Sequence, residues 1–163
     1  MLKYISTLAL LLVFGTQCTE KASGPKFKIS FAKELNDQVQ DGRLLLMLSN
    51  NDKGEPRTQI NGGQKTQLIF GIDVEGMKPG DEIQIDETAY GFPFQSLKDV
   101  PPGDYYAQAL LNRYETFNLK TGHKVKLPPD QGEGQQWNSK PGNFYSKPKK
   151  ITINRGGSSS IAV

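Results

Sequence analysis

Short apolar runs that alternate with polar residues, each ended by glycine, proline or asparagine, constrain this chain more than any other feature of its sequence. Phe27, Ile29 and Phe31 alternate with polar residues, and Ile83 and Ile85 repeat the pattern. A repeat of two residues is that of a β-strand with one buried face. The chain also holds 17 Gly and 10 Pro in 163 residues, which supplies many turns. We therefore expect short strands joined by tight turns.

The remaining apolar segments extend this pattern along the chain. The continuous run over residues 44–48 indicates a strand buried on both faces, whereas residues 32–39 could form one or two helical turns at most. Further strands are expected at residues 66–74, 105–114, 125–127 and 150–154. Six to eight strands predict an all-β fold, namely an antiparallel immunoglobulin-like β-sandwich over residues 26–163 with one long irregular loop.

A Pro-Gly turn at Pro102 and Gly103 stands just before the strand that begins with Tyr105 and Tyr106. In immunoglobulin-type sandwiches, a tyrosine at this place often donates its hydroxyl to the backbone a few residues upstream. Neighbouring strand residues point to opposite faces, so only one of the two tyrosines can do this. An ordinary buried tyrosine is the alternative.

Residues 1–18 are predicted to be a signal peptide that exports the protein to the periplasm, the cell surface or the medium. Lys3 precedes an apolar run over residues 4–14, which is shorter than the roughly 20 residues that span a bilayer. Cys18 follows this run at the place where bacterial lipoproteins carry their lipid. A lipid anchor at Cys18 and ordinary cleavage nearby both stay open. Residues 19–25 form a polar spacer, and no other contact with a membrane is expected.

Composition excludes several classes of function. Twenty Lys and Arg against 17 Asp and Glu are too evenly balanced for an electrostatic nucleic-acid binder. One Cys and one His exclude a multi-thiolate zinc site, an iron–sulfur cluster or a histidine-rich metal centre, and no cofactor is predicted. A calcium site could be drawn from Asn50, Asn51, Asp52 and Glu55, but their spacing is not that of an EF-hand, and turn formation is the favoured interpretation.

Catalytic residues are not evident either. His123 lies in a segment that is typical of a hairpin turn. The sequence also lacks the Gly-x-Ser-x-Gly motif, whose nucleophilic serine such a histidine would activate as a base. Asp130 and Glu133 could form a glycosidase-like pair, but the separation that decides such a mechanism is spatial. We therefore predict no catalytic residue in this chain.

The segment over residues 114–145 is the expected long irregular loop, and loops of this length are usually functional or packed against a neighbour. Trp137, the only tryptophan, stands among amides and glycines, which suits stacking on a sugar or on a partner domain. The alternative is that Trp137 folds back and closes one end of the sandwich. The candidate contact residues in this segment are Tyr114, Phe117, Trp137, Phe144 and Tyr145.

Several segments together resemble the N-terminal region of large secreted bacterial proteins classed as esterases of the enterochelin-esterase type. The segments that carry the resemblance span residues 41–49, 55–57, 102–117, 122–130, 132–138 and 140–148. In that family, the α/β-hydrolase domain with the nucleophile lies downstream of this region. The resemblance therefore implies a non-catalytic module, as a fragment of a longer hydrolase or as a stand-alone binding protein. Its expected partner is a hydrolase domain or the substrate; the alternative function is a surface lipoprotein that binds a glycan through the aromatic loop.

Overall fold

A computed structural model of the chain describes residues 24–129, 136–154 and 157–162, and this part is almost entirely β-structure. Its strands are β1 (Lys26–Ser30), β2 (Gln40–Ser49), β3 (Leu68–Met77), β4 (Ile83–Ile85), β5 (Tyr90–Phe92), β6 (Gly103–Arg113), β7 (Glu115–Asn118), β8 (Lys124–Leu127), β9 (Phe144–Tyr145), β10 (Lys149–Ile153) and β11 (Ser158–Ala162). Two single-turn 3-10 helices, Pro56–Thr58 and Leu97–Asp99, stand between strands. The predicted all-β class is confirmed.

Two sheets form the layers of the sandwich. The larger has six strands in the order β10-β6-β2-β3-β5, with β9 added to β6, and all its pairs are antiparallel. The smaller has the order β11-β1-β4. Apolar side chains of both sheets meet in one main core, in which Ile29 of β1, Ile85 of β4, and Leu46 of β2 are fully buried. The immunoglobulin-like detail stays a prediction.

Strand β2 is buried on both faces, as its continuous apolar run predicted. Leu44, Leu46 and Leu48 enter the main core, and each is fully buried. Leu45 and Met47 point the other way and belong to a second, smaller apolar cluster. A strand with two apolar faces needs cover on both, so the structure must also place residues on the outer side of the larger sheet.

One strand pair departs from the antiparallel expectation. Strands β1 and β11 pair in parallel, from Lys26 opposite Ser158 to Ser30 opposite Ala162. Residues 158–160 are three serines that follow two glycines, a composition typical of a flexible turn, yet they form part of β11. The edge of β1 supplies backbone hydrogen bonds to this polar segment, and Ile161, which is 5% exposed, fills the main core.

Residues 114–145 hold more regular structure than predicted. Strands β7 and β8 form an antiparallel hairpin, and β9 pairs with β6. The hairpin turn predicted around His123 is confirmed, because the Leu119 N–H donates to the His123 carbonyl at 2.8 Å. Gly122 has a φ of 84°, the left-handed conformation that favours glycine at such a turn.

Tyr105 makes the backbone contact expected of one of the two tyrosines. Its hydroxyl donates to the Pro101 carbonyl at 2.9 Å. Burial raises the pKa of this phenol. Tyr105 pairs with Ile151 and packs against the main core, whereas Tyr106 points to the outer side of the sheet.

Candidate binding surface on the outer sheet face

The outer face is the side of the six-stranded sheet that points away from the smaller sheet. Tyr90, Gly71, Leu45, Leu110 and Tyr145 lie opposite one another in a row across β5, β3, β2, β6 and β9. Residues directly opposite on neighbouring strands share a face. Because Leu45 and Leu110 belong to the second apolar cluster, this whole row lies on the outer face. Tyr90 and Tyr145 mark its two ends, which are separated by four strand spacings, or roughly 19 Å.

A second row runs parallel to the first. Phe92 lies opposite Ile69, Ile69 opposite Met47, and Met47 opposite Gln108. Met47 and Gln108 are fully buried, whereas Phe92 is 47% exposed. The outer face thus has a covered centre and an exposed aromatic margin along β5.

Trp137 covers the centre of the outer face. It is half-buried and packs with Ile69 against Leu45, Met47 and Leu110. The two tyrosines at the ends of the first row stay open, since Tyr90 is 69% and Tyr145 is 49% exposed. An indole held on a sheet in this way is rigid and presents its remaining surface at little entropic cost.

A buried hydrogen-bond network fastens the segment after β2 to the outer face. The Gln108 amide nitrogen donates to Glu55 Oε2 and to the Ser146 carbonyl, both at 2.8 Å. Its carbonyl oxygen accepts the Arg57 N–H at 3.0 Å. Gln108 is fully buried. Both the nitrogen and the oxygen of its side-chain amide have hydrogen-bond partners, as a buried polar group requires.

Arg57 ties three segments together. Its Nε lies 2.6 Å from Glu55 Oε2, and its Nη1 donates to the Asn138 carbonyl at 2.8 Å. Its guanidinium also lies 4.0 Å from the centre of the Tyr145 ring. The Gln108 hydrogen bond, with those from Arg57, lowers the pKa of Glu55 although burial opposes this. Glu55 is thus held as a carboxylate beside the cation.

A second arginine crosses the other end of the face. Arg43 Nη1 pairs with Asp73 Oδ1 at 2.9 Å, and Nη2 donates to the Gly71 carbonyl at 3.2 Å. A Cβ at Gly71 would lie 2.7 Å from Leu45 Cδ2 and 3.1 Å from Arg43 Nε. Both side chains lie across the Gly71 backbone, so a larger residue at this position would have to displace them. Tyr114 is beside them, and burial, with the Asp73 charge, raises its pKa although Arg43 opposes this.

The structure brings together three of the five aromatic residues predicted as contacts. Tyr114, Trp137 and Tyr145 lie on or at the edge of the outer face. Phe117 is 38% exposed on the β7–β8 hairpin. Phe144 is 8% exposed in the main core, with its ring centre 5.7 Å from that of Phe31, so its ring is not available to a ligand.

Sequence reasoning missed two exposed aromatics on the margin. Tyr90 and Phe92 belong to β5, a strand of three residues followed by Pro93. The signal was present as the alternation of Tyr90, Phe92 and Phe94 around Gly91 and Pro93. It was too short and too rich in turn residues to predict a strand.

The other candidate residues have structural roles or fall outside the described residues. Asn51 Oδ1 accepts the Lys53 N–H at 3.1 Å, which is the turn hydrogen bond predicted for this segment. His123 is exposed in its hairpin turn. Cys18, Asp130 and Glu133 lie outside the described residues.

The described residues hold neither a metal-binding cluster nor a membrane-spanning helix. Within residues 24–129, 136–154 and 157–162, no group of three or more His, Cys, Asp and Glu side chains could hold a metal ion. The same residues include no helix with the length and apolarity to cross a membrane.

Comparison of the chain with family models, with curated proteins and with solved structures found no match.

Proposed function

We propose that this chain is a non-catalytic, exported β-sandwich module that binds a partner protein domain through its outer face. The observation that carries the proposal is the exposed aromatic margin, with Tyr90 69% and Phe92 47% exposed beside the half-buried Trp137. Tyrosine, tryptophan, phenylalanine and arginine are the residues enriched at protein interfaces.

The charges of the outer face favour a protein partner. Arg43 is paired with Asp73, and Arg57 with Glu55, at 2.9 and 2.6 Å. A partner that covers these pairs would remove water from ions that already compensate each other, which avoids the penalty of an unpaired buried charge. The face therefore offers aromatic anchors without a strong field of one sign.

The family resemblance points to a hydrolase catalytic domain as this partner. Export through residues 1–18, with or without a lipid at Cys18, would place both in the periplasm, at the cell surface or outside the cell. The module would then hold the catalytic domain and take no part in the chemistry.

The test measures binding of the purified chain to a separately produced α/β-hydrolase domain of the resembled esterase type by titration calorimetry. We expect micromolar or tighter binding. Tyr90→Ser and Phe92→Ser should each weaken it about tenfold or more, because they remove anchors from the margin. Leu35→Ser is the matched control, since Leu35 is 49% exposed in the connection between β1 and β2.

Two results would overturn the proposal. One is the absence of binding, or binding that the margin variants leave at the strength of the Leu35→Ser control. The other is hydrolysis of an ester such as p-nitrophenyl acetate by the chain alone, abolished in His123→Ala, because this would make the chain an enzyme.

A further inference from the structure

A second site lies at one end of the sandwich, where β2 ends and β3 begins. It is an open cleft of about 800 Å³, with Leu48 and Leu68 among its lining residues. Small-molecule sites commonly have volumes of roughly 300–1,000 Å³. The cleft lies at the C-terminal end of β2, whereas the β7–β8 hairpin lies next to the N-terminal end of the same strand. The cleft and the hairpin are therefore separate.

Carboxamide side chains dominate the lining of the cleft. They are Asn50, Asn51, Gln59, Asn61, Gln64 and Gln67. Each amide offers both a donor and an acceptor, as each sugar hydroxyl does. Among the described residues that line the cleft, Lys65 alone carries a full charge. The lining therefore lacks the several cations by which proteins usually bind phosphates or acidic peptides.

Part of this polar lining is held in place by the protein. Ser49 Oγ donates to Gln59 Oε1 at 2.6 Å, and Gln59 Nε2 donates to the Gly54 carbonyl at 2.7 Å. Asn61 Oδ1 accepts the Gly63 N–H at 3.0 Å. These contacts fix the loop conformations before any ligand arrives, which lowers the entropic cost of binding.

Other polar groups of the cleft are left for a ligand. Gln67 is 7% exposed, and its Oε1 accepts the Thr66 hydroxyl at 2.5 Å. Its Nε2 makes no hydrogen bond within the described part of the chain and is reached by solvent. A ligand hydroxyl in the cleft can therefore accept from this amide in place of water.

Aromatic and apolar surface completes the cleft. Phe94 is 36% exposed in the lining, next to Pro93. The ring of Tyr105 is fixed by the hydrogen bond of its hydroxyl to Pro101. An exposed aromatic ring beside amide groups suits a pyranose, which has an apolar face of C–H groups and a rim of hydroxyls.

We propose that this cleft binds a neutral oligosaccharide. Phe94 stacks on one sugar ring, and the amides, Gln64 and Gln67 among them, bond its hydroxyls. None of the outer-face aromatics Tyr90, Phe92 and Trp137 lines this cleft, so the site differs from the one proposed for the partner. It assigns the glycan to the end cleft, whereas the sequence alone associated a glycan with the loop around Trp137.

The experiment titrates the full chain with cellotetraose, maltotetraose and chitotetraose and records binding by calorimetry and by shifts of amide resonances. We expect at least one probe to bind with a millimolar or tighter dissociation constant. Phe94→Ala and Gln64→Ala should each weaken that binding about tenfold, through lost stacking and lost hydrogen bonds.

Two control variants separate this site from the rest of the molecule. Phe117→Ala removes an exposed aromatic on the β7–β8 hairpin, and Tyr90→Ser alters the outer face. Both should bind the probe as the natural chain does. Binding of none of the three probes would overturn the proposal, as would binding that Phe94→Ala and Gln64→Ala leave unchanged. Loss of binding in Tyr90→Ser alone would place the sugar on the outer face and also overturn it.

Discussion

The guanidinium of Arg57 lies 4.0 Å from the centre of the Tyr145 ring, which joins the segment after β2 to strand β9 across the outer face. The same guanidinium contacts Glu55 and the Asn138 carbonyl. The Arg57 side chain is 15% exposed, whereas Tyr145 is 49% exposed, so this cation–π contact is partly shielded from water. Side-chain contacts thus add to the backbone pairing that holds the outer face together.

Replacing these two residues should reveal an interaction between them. Arg57→Lys keeps the charge but loses the planar group, and Tyr145→Leu keeps an apolar side chain but loses the ring. In a double-mutant cycle, urea denaturation should give a coupling free energy of about 0.5–2 kcal/mol.

The exposed ion pair of Lys28 with Glu82 is the matched control for this cycle. Its atoms are 2.9 Å apart, but the side chains are 46% and 53% exposed. Alanine at both positions should give a coupling of at most about 0.5–1 kcal/mol. A coupling for Arg57 and Tyr145 that is indistinguishable from zero would show that the stacking does not stabilise the fold.

The ionisation of Glu55 should make the stability depend on pH. The Gln108 hydrogen bond and then the Arg57 contacts hold the pKa of Glu55 below its ordinary value in the folded protein. A lowered folded pKa contributes stability above the unfolded pKa of about 4.3, and this contribution is lost as the pH falls through the folded value. Because the Glu55 side chain is 41% exposed and partly screened by water, Glu55→Gln should cost at most about 1 kcal/mol at pH 7, and the cost should shrink as the pH falls below about 4.3.

The measurement compares the free energy of unfolding of the two proteins by urea denaturation between pH 7 and pH 3. Phe117→Ala is the control, because it changes no titratable group and its difference from the natural chain should be similar at every pH. A Glu55→Gln difference that stays constant over this range would contradict the role of the carboxylate.

The sequence predicted most of the larger strands because their apolar residues recur at the positions that are buried. The continuous run of β2 indicated cover on both faces, and Leu44 and Leu45 indeed enter different apolar clusters. Strands β5, β7, β9 and β11 were missed because each has only two to five residues, and β11 is mostly serine. All of them except β7 are held by a partner strand far away in the sequence, which the local pattern does not record.

The candidate site was predicted only in part, again because the local sequence pattern does not record which strands pair. Tyr145 and Phe144 are neighbours in β9, so they point to opposite faces of the sheet. Which of the two is buried depends on their pairing with Leu110 and Leu111, and this pairing cannot be read from two residues. The end cleft was not predicted either, since its asparagines and prolines are also the residues of ordinary turns.

Gly42 should not tolerate a side chain. A Cβ there would lie 2.3 Å from the Asn112 carbonyl oxygen and 3.2 Å from the Arg113 Cα, both in the backbone of β6. Because two paired strands would have to separate, Gly42→Ala should lower the free energy of unfolding by about 1–3 kcal/mol or more. Chemical denaturation measures this change.

Gly62→Ala is the matched control, since a Cβ at Gly62 meets nothing within 4 Å. It should change stability by no more than about 1 kcal/mol, in either direction. Equal tolerance at Gly42 and Gly62 would mean that β2 and β6 do not approach as closely as the structure places them.

The two phenylalanines of the segment over residues 114–145 should differ sharply in how much stability is lost when each is replaced by alanine. Phe144 is 8% exposed and packs on Phe31, and the Arg113 guanidinium lies 4.9 Å from its ring centre. Phe144→Ala should cost about 3–5 kcal/mol through lost burial and the cavity that remains, and Phe144→Leu should recover part of it. Phe117→Ala, on the exposed hairpin, should cost less than about 1 kcal/mol. Denaturation of the three variants checks this, and equal small losses at both positions would show that Phe144 lies outside the core and is free to contact a ligand.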